Sequence, residues 1–86
     1  MHRWTESDDL MVFFLFRFSK ENSPLTKEEI SKKIGVSLGS LSYRIGNFKA
    51  IHGEGNATHF AKLSEMVCKK YARLNMQELK NVAFTV

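Results

Sequence analysis

A single cysteine, Cys68, leaves this chain unable to form an internal disulfide and fits a reducing cytoplasm. Long apolar runs are also missing. The run Leu10 to Phe16 stops at Arg17, far short of a membrane span. Glu6, Asp8 and Asp9 precede it where a signal peptide would be basic, and no small-residue cleavage site follows, so a soluble, unprocessed chain is expected. Proline occurs once, at Pro24, as punctuation in the Glu21–Leu25 connection. Internal repeats and low-complexity segments are absent. His52, His59 and Cys68 have no zinc spacing, and a structural zinc site wants four ligands. There is no Gly-rich phosphate loop, and no serine has a histidine and an acid arranged to activate it. Catalytic residues, metals and cofactors are therefore not expected.

What is present is enough for one small helical domain. Eighty-six residues, 43% hydrophobic and 26% charged, can bury a modest core. The clearest signal lies at residues 26–50. Thr26 and Glu29 form a capping box, with Leu25 and Ile30 at staple positions. Ile30 and Ile34 share a face, and Gly35 arrives where that helix must stop. Ser37 can then cap a second helix whose Leu41, Ile45 and Phe48 recur at buried-face spacing. Two short amphipathic helices across a Gly-containing turn are a helix-turn-helix, whose second helix enters the DNA major groove.

Around it, a first helix is expected from Thr5 to about Ser19. Asp8 and Asp9 in its first turn complement the helix dipole. Leu10, Met11, Phe14, Leu15 and Phe18 occupy one face, and Val12, Phe13 and Phe16 another. The second face needs cover from the C-terminal helices or from a second subunit. Residues 52–56 read as a turn. A further helix is expected from Thr58 to Arg73, with Phe60, Leu63, Val67 and Tyr71 inward and Lys62, Lys69, Lys70 and Arg73 solvated. Asn75 to Glu78 is another capping box, opening a segment with Met76, Leu79 and Val82, and residues 83–86 have β character. The expected fold is thus an all-α bundle of four or five helices, with the C-terminal helices at 58–83.

Charge is distributed unevenly. The net value is +4, but residues 1–29 balance to −2 while residues 30–73 carry +6, opposed only by Glu54 and Glu65. A basic region coinciding with a helix-turn-helix is the footprint of a protein that binds a polyanion. On the second helix, Ser37, Leu38 and Gly39 begin the groove-facing side, which continues through Ser42, Tyr43, Gly46 and Asn47. Asn47 could read adenine through its amide or instead brace the helix end. Tyr43 could meet a thymine methyl or a phosphate, and Arg44 and Lys49 at the flanks suit phosphates. Trp4 reads as a core anchor.

Trp4-Thr5-Glu6, the helix after it, and Ile34-Gly35 through Ser40-Leu41, Arg44-Ile45 and Asn47-Phe48 resemble a particular N-terminal region. It precedes the catalytic domain in many bacterial restriction-type nucleases of the His-Asn-His class. Gly53, Gly55-Asn56-Ala57 and the following helix continue the resemblance over about residues 4–71. The Trp-Thr opening is also similar to a Myb domain over a few residues. Val36 departs from the pattern, standing where the family usually has arginine. The chain stops where the nuclease domain would begin, so the resemblance implies a DNA-targeting module without cutting machinery.

Two functions follow as expectations. One is a sequence-specific binder of double-stranded DNA, a transcriptional regulator of bacterial, phage or mobile-element origin. It would act as a homodimer through Val12, Phe13, Phe16 and the C-terminal segment. The other is an interaction or DNA-targeting module that serves a nuclease or another larger partner.

Overall fold

In the computed structural model, which describes residues 2–54 and 60–85, the fold is all-helical. Helix α1 (Glu6–Phe18) starts at a capping box. The Thr5 hydroxyl accepts from the Asp8 N–H, and the Asp8 carboxylate accepts from the Thr5 N–H, both at 3.1 Å. The helix stops at Ser19, which has φ +68°, and a 3₁₀ turn at Lys20–Asn22 leads out of it.

Helix α2 (Lys27–Ile34) has the reciprocal Thr26–Glu29 box and ends on Gly35 at φ +92°, a left-handed conformation that a side chain would strain. Helix α3 (Leu38–Ile51) follows, with the Ser37 hydroxyl accepting from the Ser40 N–H at 3.1 Å. Helices α4 (Lys62–Tyr71) and α5 (Met76–Phe84) complete the bundle, α5 opening on the Asn75–Glu78 box. No described helix is long and apolar enough to cross a membrane.

The Thr26–Glu29 box ties a carboxylate to a backbone donor, with a pH consequence. The Thr26 N–H, and then its hydroxyl, hold the Glu29 carboxyl below the usual carboxylate range. A lowered folded pKa contributes stability that is complete above the unfolded value and lost as pH falls through the folded one. Glu29→Gln is expected to remove that component, so that thermal melts across acidic pH show a shallower decline than in the parent.

Helix α1 is the centre of the bundle, packed on α3, α4 and α5. Six consecutive residues, Leu10 to Leu15, are buried. Phe13 meets Phe48 of α3 at 5.2 Å between ring centroids, and Phe14 meets Phe84 of α5 edge-on at 5.3 Å. Such a helix can be apolar over most of its circumference because neighbours cover the Leu10–Leu15 stretch on all sides. The expected subunit face is therefore corrected. Val12 and Phe13 are fully covered within one chain, and Phe16 stacks between Phe48 and His52. In the C-terminal segment Leu79 is likewise buried, while Met76 and Val82 are exposed.

Three smaller expectations also shift. Ala83 and Phe84 belong to α5 rather than to an extended tail, because the Asn75 box starts a helix that brings Phe84 onto Phe14. Phe60 is exposed and precedes α4, so it is not part of that helix's buried stripe. The expected helix start at Thr58, and Gly55 and Asn56 of the expected turn, lie outside the described residues.

Candidate nucleic-acid interface

Helix α3 divides cleanly into an inner and an outer side. Leu41 and Phe48 are wholly buried, Leu41 beside Ile30 and Ile34 of α2 in the same core. Arg44 lies three residues after Leu41 and four before Phe48, and so falls on that same inner side. Its guanidinium grips Asp9 with two hydrogen bonds, Nε to Oδ1 and a terminal nitrogen to Oδ2, both at 2.8 Å. The buried Ser64 hydroxyl donates to the same Oδ2 at 3.0 Å, and the Trp4 ring lies 4.5 Å from the guanidinium carbon. One carboxylate thus joins α1, α3 and α4.

This corrects the expectation for Arg44. A buried, doubly bonded guanidinium is not free to meet a phosphate. Asp9 was also missed as more than a dipole partner. It sits immediately before the buried run, but its place in a first helical turn gave it a sufficient local explanation, and its partner is 35 residues away.

Asn47 is also turned inward. Its amide nitrogen donates to the Tyr43 carbonyl at 3.4 Å, and its amide oxygen accepts from the Ala61 N–H at 2.8 Å. The second bond occupies a donor at the start of α4, where no side chain caps the helix. Asn47 therefore holds α4 to α3 and is withdrawn from base reading. Asn47→Ala is expected to cost about 1–3 kcal/mol, the penalty for orphaning a part-buried donor. Urea titration would show this loss, with no change in any preferred nucleic-acid sequence.

The outer side holds the other expected residues together. Ser37, Leu38, Gly39, Ser42 and Lys49 are exposed, Gly46 is half-buried, and Tyr43 is 79% exposed. Ser40 joins them, its hydroxyl accepting from Ser37 at 3.3 Å. A Cβ added at Gly46 would meet nothing within 4 Å, and one at Gly39 would meet only the Ser37 hydroxyl at 3.7 Å. Internal packing therefore requires neither glycine, although each costs helix stability relative to alanine.

The cations around this face sort into free and engaged. Lys32 and Lys33 close α2 beside the turn, and Lys49 stands on α3. All three are exposed, and none forms an ion pair among the described residues. Lys70, by contrast, donates to Glu6 at 3.1 Å, and Tyr71 donates to the same carboxylate. The bonds from Tyr71 and Lys70 hold the Glu6 carboxyl below its usual range and push the Tyr71 and Lys70 values up.

His52 and Cys68 approach to 3.7 Å, but burial pushes the Cys68 thiol up, away from the thiolate a ligand or nucleophile needs. Among the described residues, no three His, Cys, Asp or Glu side chains gather as metal ligands. Comparisons with protein-family models, curated proteins and solved structures give no match to this chain.

Proposed function

We propose that this protein binds double-stranded DNA, laying the outer side of α3 in the major groove and setting α2 across the backbone. Ser37, Leu38, Gly39, Ser42, Tyr43 and Gly46 would face the bases, and Lys32, Lys33 and Lys49 the phosphates. In this reading it is a small transcriptional regulator of bacterial, phage or mobile-element origin, working in a reducing cytoplasm. The observation that carries the reading is the outer face of α3. A bulky aromatic stands out in solvent there, between glycines that the fold has no packing reason to keep.

The rival role, docking of a larger protein on an apolar first helix, has less support, since Leu10 to Leu15 of α1 are buried within the chain. If two copies read a palindrome, Met76 and Val82 on α5 are apolar residues still exposed for pairing.

The glycines give a discriminating test. Gly46→Ala is expected to stabilise the helix by about 0.5–1 kcal/mol and yet weaken duplex binding, because the added methyl stands between backbone and base edge. Melting curves and duplex titration, run on the same sample, measure both effects. A more stable protein with undiminished affinity would remove α3 from the groove.

A further inference from the structure

A cleft of about 310 Å³ opens where α1 ends, α2 begins and the second half of α3 passes. That volume is at the lower end of ligand clefts, roughly 300–1,000 Å³. Its walls come from α1, the 3₁₀ turn, α2 and α3, with Leu15, Phe16 and Ile45 supplying apolar surface and Lys20, Lys27 and Lys49 supplying charge. The longer recess along α4, about 450 Å³, differs in kind. It is formed by long side chains of one helix, with no floor from any other element.

None of the three lysines forms an ion pair among the described residues. Lys27 is half-buried, and Lys20 and Lys49 are exposed. One acid, Glu21, also lines the cleft. Its carboxyl is held below the usual range by the Ser19 hydroxyl, then by its own backbone and by the charge of neighbouring Lys20, so one acid stands against three lysines in the cleft. Ser19 itself has φ +68°, a conformation that costs a non-glycine residue energy and that recurs at ligand clamps. Lys20 and Lys27 also border a second recess of about 220 Å³, which Thr26 and Glu28 complete.

Apolar walls beneath three unpaired cations complement a molecule with an apolar body and an anionic head. We propose that this cleft binds small amphipathic organic anions, such as a medium-chain carboxylate, with the chain on Leu15, Phe16 and Ile45 and the head among Lys20, Lys27 and Lys49. The site shares Lys49 with the proposed phosphate contacts, but it stands without DNA binding, and its test uses no nucleic acid.

The probe is sodium octanoate, titrated into the isotope-labelled full chain and followed by amide chemical shifts, with 1-octanol as the uncharged control. The expected result is saturable shifts confined to Ser19–Glu21, Lys27 and Ile45–Lys49, with a much weaker response to octanol. Lys20→Ala with Lys27→Ala should weaken octanoate binding by about fivefold, the scale of two exposed charge contacts. The Lys20→Gln, Lys27→Gln pair, which keeps the apolar stems, should behave the same way. Shifts that grow without saturating or that map elsewhere would overturn the proposal. An equal response to octanol, or unaltered binding by the folded double variants, would do so too.

Discussion

Replacing Arg44 by alanine is expected to destabilise the domain by about 3–5 kcal/mol, the cost of removing one partner from a buried ion pair. Asp9 is fully buried, and its carboxylate would be left with the Ser64 hydroxyl as its side-chain donor. Against a total stability of about 5–15 kcal/mol for a small domain, that loss leaves little margin. Arg44→Lys should recover only part of it, because an ammonium cannot make the two parallel bonds that the guanidinium makes to Oδ1 and Oδ2. Asp9→Leu combined with Arg44→Met should be far milder than either half alone, since no unpaired charge remains in the core. Urea denaturation followed by circular dichroism measures the whole series. Parent-like stability in Arg44→Ala, together with weakened DNA binding, would put the arginine back on the surface as a phosphate contact.

The second large effect concerns Lys32, Lys33 and Lys49. Changing all three to alanine should leave stability almost untouched, because exposed, unpaired side chains away from the core contribute within about 0.5 kcal/mol each. Duplex affinity should fall instead, by a similar factor for every sequence tested, since phosphate contacts position the protein without reading bases. Each lost contact should flatten the log–log salt dependence by about 0.9, and the three together by about 2.7. Fluorescence anisotropy on two unrelated duplexes, at several salt concentrations, gives both quantities. A loss confined to one duplex would mean that a lysine reads a base.

Residues a few positions apart carried most of what the sequence revealed. The boxes at Thr26–Glu29 and Asn75–Glu78 each span three residues, and Gly35 marks its own turn through its φ. Such features are legible because their energetics are settled within one helical turn.

Long-range choices were not legible in the same way. Asp9 and Arg44 are 35 residues apart, and an acid in a first helical turn already has an adequate local explanation. Arg44 illustrates the difficulty on α3, because its charge suggested solvent while its spacing from Leu41 and Phe48 placed it inside. Asn47 was open between two roles, and its partner, the Ala61 N–H, becomes visible only once α4 is docked. Helix α1 posed a question of cover: its second apolar face suited another subunit as well as α3, α4 and α5, and only the packed chain separates the two. Of the expected DNA-facing set, Ser37, Leu38, Gly39, Ser42, Tyr43, Gly46 and Lys49 stay on the outer side of α3. Spacing assigned Gly39, Ser42, Tyr43 and Gly46 to it, together with Asn47, which turns inward; Ser37 and Leu38 were placed there by the helix start and Lys49 at the flank.

On this reading the outer face of α3, flanked by free lysines, meets duplex DNA. Equilibrium titration of a labelled random-sequence duplex with the unmodified protein, at about 50 and 200 mM salt, tests it most directly. Three phosphate contacts predict association at the lower concentration that weakens roughly 40-fold at the higher, following a slope near −2.7. No association at 50 mM salt, or binding indifferent to the change, would contradict the claim.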